Sequence, residues 1–166
     1  MKKTPYIGKW IACLHRTGQS FFYYHLANYE LGSGHGYFAC LTYLFRQEGI
    51  TQDTISKSVN IDKTTIARAI MKLESLGYVT KLIDPIDRRA YQIYLTEKGR
   101  ALQPILETTF TLWTTSLTQG FSPEEKRMAY TLLERMTQNA LTIKDNLNTL
   151  EIPYGSEENE TTLTNK

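Results

Sequence analysis

Cysteine is scarce in this 166-residue chain: Cys13 and Cys40 are the two present, both in apolar surroundings and without CxxC spacing. That excludes a disulfide framework and a cysteine-rich metal site, and it fits a reducing compartment where a thiol serves as a small hydrophobe. Missing too is any run of ~20 apolar residues, so no membrane-spanning segment is expected. The start MKKTPYIGKWIACL has a basic end and a cysteine, but Pro5, Gly8 and Lys9 break its apolar run before it can form the core of a secretion signal. A cytoplasmic protein is the expectation. The histidines His15, His25 and His35 stand ten apart and share no helical face, and no HExxH, GxSxG or phosphate-binding loop occurs. GSGHG follows no strand and lacks nucleotide-loop glycine spacing. These absences argue against a hydrolase or a metal enzyme, and no cofactor or metal is expected.

A large excess of one charge is also lacking: 19 basic residues face 17 acidic ones. Bulk charge therefore neither favours nor excludes nucleic acid. Its distribution says more, because residues 51–100 hold nine Lys/Arg against six Asp/Glu while residues 151–166 hold four Glu against one Lys. The middle is basic and the end acidic. With 41% hydrophobic residues the chain can bury a core as one compact domain or two small lobes.

What is present is mostly helical periodicity. Apolar residues from Ile7 to about Tyr29 recur at helical spacing, interrupted by Gly18, and predict a long first helix. LGSGHG is a loop, and YFACLTYLF over residues 37–45 reads as a buried helix. Thr51 is a good N-cap with Asp53 in the first turn, Asn60 and Ile61 form a turn, and Asp62 caps a second helix whose Ile66, Ile70 and Leu73 fall on one face. After Gly77, the β-branched and aromatic runs YVTKLI and AYQIYL flank the polar stretch DPIDRR and predict a hairpin over residues 78–95. Thr96 caps a further helix carrying Leu102, Ile105, Leu106, Phe110 and Trp113, with Pro104 kinking it or lying near its start. SPEE at residues 122–125 is a capping box, and the helix it opens carries Ala129, Leu133, Met136, Ala140, Ile143, Leu147 and Leu150 at spacings of four and three, the seam of a helix that packs along a partner. Beyond Pro153 the near absence of apolar residues predicts disorder.

The fold class that follows is mainly α with a small β-hairpin wing. On the second helix of the pair, the face opposite Ile66, Ile70 and Leu73 carries Thr64, Arg68, Lys72 and Ser75. Arg68 can donate bidentately to guanine in a major groove, Thr64 and Thr65 can reach base edges or thymine methyls, and Thr51, Gln52 and Lys63 lie where helix starts would meet phosphates. Such a face alone would be unremarkable on any solvated helix. Two short helices followed by a hairpin with arginines at its tip are more specific, because the tip can enter a minor groove beside that helix.

The stretch TQDTISKSVNIDKTTIARAIMKLESLGYVTKLIDPIDRRAYQIYLTEKG, with its DxxDRRAxxxxLTxxG pattern, resembles the winged helix-turn-helix core of the MarR family, the multiple-antibiotic-resistance type of transcriptional regulator. The resemblance implies a homodimer that reads double-stranded DNA at a pseudo-palindrome, usually as a repressor, with its first and last helices forming the dimer. It implies a division into an N-terminal dimerisation helix and loop at 1–35, a DNA-binding lobe at 36–100, C-terminal dimerisation helices at 101–150 and an acidic tail at 151–166. It also implies that Arg89 enters the minor groove, that Asp87 orients it, and that Arg88 meets phosphate.

Many proteins of that family release DNA on binding a small phenolic or aromatic acid, which makes His15, Arg16, Tyr24 and Tyr37 candidate effector contacts, with Arg16 binding the carboxylate. Tyr23, His25 and Tyr29 stand nearby. The alternatives are thiol-based redox sensing through Cys13, although an ungapped count puts the family's reactive cysteine near Trp10, and a winged module that binds protein instead of DNA.

Overall fold

The computed structural model describes residues 6–31, 36–85 and 87–146. The expectations for His35, Leu147, Leu150 and the 151–166 tail lie outside them. Contacts divide the chain into two compact units, the first ending at Leu117 and the second beginning at Thr118. The expected break at residue 100 is not where this division falls, because the helix that follows packs on the first helix within one unit.

In the first unit, α1 (Gly8–Leu26) continues into a 3-10 turn at Ala27–Tyr29, which Glu30 closes in a left-handed conformation with its N–H on the Ala27 carbonyl at 3.0 Å. Helix α2 (Tyr37–Leu44) buries Cys40, Leu41 and Leu44, as its apolar run predicted. Helices α3 (Gln52–Val59) and α4 (Lys63–Ser75) begin where the capping residues said they would: the Thr51 side chain accepts the Thr54 N–H, and that of Asp62 accepts the Thr65 N–H. Between them Asn60 is left-handed, and the buried Ser56 hydroxyl donates to the Ile61 carbonyl at 2.6 Å, fixing the angle of the turn.

Helix α4 is held from one side. Ile66, Ala69, Ile70 and Leu73 are fully buried, and the core continues through Leu26, Leu41, Ile55, Ile93 and Leu106. At roughly 2 kcal/mol for each large side chain removed from water, the three β- or γ-branched residues of α4 alone far outweigh its modest intrinsic propensity. Gly77, at φ +74°, ends the helix, with the N–H groups of Gly77 and Tyr78 donating to the Glu74 and Leu73 carbonyls, both at 2.9 Å.

The hairpin consists of β2 (Val79–Ile83) and β3 (Tyr91–Leu95), antiparallel, with Val79 opposite Leu95 and Ile83 opposite Tyr91. A third strand that periodicity did not predict, β1 (Ile50–Thr51), pairs with β3 and gives the sheet order β1-β3-β2. Two residues are too few to show an alternation. The helix expected after Thr96 is two helices, α5 (Glu97–Arg100) and α6 (Gln103–Leu117), because buried Leu102 turns inward between them and Pro104 sits in the first turn of α6. Gly99 lies against the sheet so closely that a Cβ there would come within 2.0 Å of the Tyr78 carbonyl oxygen, which accounts for the glycine of LTEKG.

The second unit contains α7 (Pro123–Asp145), opened by the predicted capping box, in which Ser122 and Glu125 exchange side-chain to backbone hydrogen bonds. Of its expected seam, Leu133 and Ile143 are exposed in the single chain, and so are Met128 and Leu132 beside them. Among the described residues no helix is long and apolar enough to cross a membrane.

Candidate nucleic-acid interface

A helix of 3.6 residues per turn that buries Ile66, Ile70 and Leu73 must present Thr64, Arg68, Met71 and Ser75 on the opposite side, and all four are exposed. The cations around this face are not equivalent. Lys63 pairs with Asp53 across the turn, Lys81 with Glu74 at 2.6 Å, and Lys72 reaches Glu30 at 4.0 Å. Arg68 makes no ion pair among the described residues. The lysines serve largely to tie α4 to its neighbours, whereas Arg68 projects from a face that no described residue covers.

The three carboxylates at the helix starts and wing have distinct tasks. Lys57 and Lys63 both bond Asp53 and hold its carboxyl at about 2. Asp62 is likewise lowered, chiefly by hydrogen bonds from Thr65. Asp84, the first residue of the DxxDRRA pattern, to which the sequence assigns no contact, is 9% exposed and builds the wing tip: its Oδ1 accepts the Asp87 N–H at 3.0 Å and its Oδ2 accepts the Gln92 amide at 3.1 Å. Its own N–H donates to the Ala90 carbonyl at 3.0 Å and closes the hairpin. Its signal in the sequence is the Asp84, Asp87 spacing of an Asx-type turn.

Asp87 accepts the Arg89 N–H at 3.0 Å and its Nε–H at 3.3 Å, while the Arg89 side chain remains 93% exposed. Arg88 is exposed beside it, with no ion pair among the described residues. A trough of about 990 Å³ runs between the helix starts and the wing, bringing together Thr51, Gln52, Lys63, Asp87 and Arg89. Thr64, Thr65, Arg68, Lys72 and Arg88 do not line it; Thr64 and Arg68 stand on the outer face of α4. Thr51 is engaged in capping, its hydroxyl 3.0 Å from that of Thr54, and the Gln52 amide donates to the Lys63 carbonyl at 3.4 Å. Met71, 63% exposed in the middle of the outward face, was overlooked because methionine at helical spacing reads as core.

The candidate effector residues are not brought together. A separate cavity of about 630 Å³ lies among α1, α2, α6 and the start of α4, and of the four candidates it takes His15 alone. Gly18 and Phe22 follow His15 three and seven residues on and share its face. Arg16 and Tyr24 are about 100° and 180° round the helix from it, exposed, and Tyr37 packs against the core. The expected Arg16 carboxylate contact is therefore absent from this cavity. Cys13 is exposed on α1, whereas burial pushes the Cys40 thiol up to about 12 and leaves it inert at neutral pH.

A tight helix pair whose second member offers an uncommitted arginine, completed by a hairpin with an arginine at its tip, defines a winged helix-turn-helix of the DNA-binding class. Residues 35–91 match the MarR family. An HTH-type transcriptional regulator of Bacillus subtilis (strain 168), YybA, is 33% identical over 110 residues, which cover 66% of this chain and 73% of that one. The structure of a MarR transcriptional regulator from Methanosarcina mazei Go1 aligns with a TM-score of 0.75 at 40% identity, covering 82% of this chain and 97% of that one. The fold is shared as well with a MarR-family regulator from Listeria monocytogenes complexed with 26mer DNA, at a TM-score of 0.77 and 23% identity over 88% of this chain and 96% of that one. The chain belongs to the MarR family of transcriptional regulators.

Proposed function

We propose that this chain is a homodimeric, sequence-specific repressor in which α4 reads the major groove of each half of a pseudo-palindromic operator, the wing enters the adjacent minor groove, and a small phenolic or other aromatic effector causes release. The observation that carries the DNA-reading part is the sorting of cations: Lys63, Lys72 and Lys81 face carboxylates, while Arg68 has none among the described residues. Holding an unpaired guanidinium on a rigid, core-anchored helix suits bidentate donation to guanine. The DNA carried by the Listeria relative supports the same use of the shared fold.

Dimerisation rests on the exposed apolar side chains of α7, and separately on those of α1, where Trp10, Ile11 and Leu14 are all exposed in the single chain. The effector reading rests on the cavity, whose wall includes Thr65 and Asp62, the residues that cap α4. A ligand there touches the start of the helix that reads DNA.

The decisive experiment is fluorescence anisotropy with DNA from upstream of its own gene, comparing wild type with Arg68→Ala. Arg68→Ala should lose about 1–3 kcal/mol on the specific site and little on random DNA. Equal losses on both would contradict base readout, and no specific binding by the wild type would favour a protein-binding module.

A further inference from the structure

The walls of the 630 Å³ cavity carry a charge pattern that selects its occupant. Three of its lining residues are aromatic: Phe22 from α1, Phe38 from α2 and Trp113 from α6. They form one cluster, with Phe22 5.3 Å from Phe38 and 6.0 Å from Trp113 between ring centroids. Phe21 stacks behind Trp113 at 5.1 Å, and Gly18 lets the indole approach α1, since a Cβ there would meet it at 3.2 Å. The rings are thereby held by packing on both sides.

The lining also carries the Asp62 carboxylate, and among the described residues no lysine or arginine lines the cavity. The Asp62 carboxylate cannot turn away freely, because Oδ1 accepts the Thr65 N–H at 2.8 Å. The other titratable side chain of the wall, His15, lies beside Gln19 at 3.4 Å. An aromatic carboxylate would enter a site with a fixed carboxylate and, among the described residues, no lysine or arginine to pair with. A lipophilic cation would instead meet a cluster of aromatic rings and a carboxylate, both of which favour positive charge.

Resting on the effector-responsive reading above, we propose that this cavity takes a lipophilic organic cation, an aryl-ammonium held by Phe22, Phe38 and Trp113 with Asp62 as its counter-ion. The ammonium sits on the Asp62 side and its apolar part among the rings. The volume is in the range that encloses a molecule of this size.

The test is isothermal calorimetry on the full chain with benzyltrimethylammonium, its neutral isostere neopentylbenzene, and benzoate. The cation should bind at least tenfold more tightly than either of the others. Asp62→Asn keeps a good N-cap, and should remove most of the preference for the cation over the isostere while circular dichroism shows α4 retained. Trp113→Leu, which keeps an apolar wall, should weaken the cation more than the isostere. Benzoate binding as tightly as the cation, an unchanged cation preference in Asp62→Asn, or no heat with any of the three probes would overturn the proposal. Operator binding without ligand, measured on the same preparation, separates the two readings: if DNA binds and the cation does not, the cavity assignment alone fails, and if the cation binds but DNA does not, the repressor reading alone fails.

Discussion

Replacing Asp84 with alanine removes an acceptor from two hydrogen bonds at the wing tip, from the Asp87 N–H at 3.0 Å and the Gln92 amide at 3.1 Å, and takes out a carboxylate that is 9% exposed. Hydrogen bonds to a charged group contribute about 1.5–3 kcal/mol each when buried, but Asp87 is exposed, so water recovers part of that one. The two together are worth about 2–3 kcal/mol, and their loss alone corresponds to a fall in operator affinity per wing of roughly 30–150-fold. The loss is conformational: Arg89 is still present and Asp87 still accepts its N–H, and the backbone bond from residue 84 to Ala90 remains, but the loop has lost its side-chain tether to residue 84. Anisotropy titrations at fixed salt read the affinity, and urea denaturation reads global stability. Asp84→Asn retains an acceptor for Asp87, and the Gln92 amide can turn over to meet the new one, so its affinity should fall by less than that of the alanine variant. Wild-type affinity in Asp84→Ala, in a protein whose Arg89→Ala variant binds weakly, would show that the tip needs no fixed conformation and would refute the reasoning.

Arg89→Ala should weaken operator binding more than Arg88→Ala, since Asp87 positions only the former, and competition titrations on one operator check the order. Lys63→Ala should weaken specific and random DNA alike and flatten the salt dependence, as read from the slope of log affinity against log salt. Asp53 has a folded-state pKa of about 2 against an ordinary 3.8, set first by Lys57 and then by Lys63. A depressed carboxyl contributes stability above its unfolded pKa and loses it as pH falls through the folded one. Stability should therefore drop between about pH 3.8 and 2, and Asp53→Asn should flatten that part of the acid-denaturation profile. If the chain dimerises as proposed, Leu133→Glu, on the exposed apolar face of α7, should convert that dimer to monomer in sedimentation equilibrium while the helix content persists; an unchanged dimer would move the interface elsewhere.

Features set within a few residues of chain could be read directly from the sequence, and features set by distant neighbours could not. Thr51, Asp62, Thr96 and Ser122 all cap the helices they were expected to cap, because a capping side chain finds its N–H two or three residues on. Strand β1 escaped because its two residues become a strand only by pairing with β3, some forty positions later. The lining of the cavity is not legible because three different helices supply its rings, and Arg16 is not part of it because neighbours in sequence need not share a helical face. The same limit applied to charge. A basic middle segment was visible, but counting cations cannot tell Lys63, Lys72 and Lys81, which face Asp53, Glu30 and Glu74, from Arg68, which faces solvent. That pairing follows from the fold: Asp53 on α3 and Glu30 after the 3-10 turn take up Lys63 and Lys72 of α4, and Glu74 of α4 takes up Lys81 of β2. The Arg68 guanidinium has no carboxylate partner among the described residues, so on the proposed DNA reading removing Arg68 should cost sequence preference while removing one of these lysines costs mainly affinity.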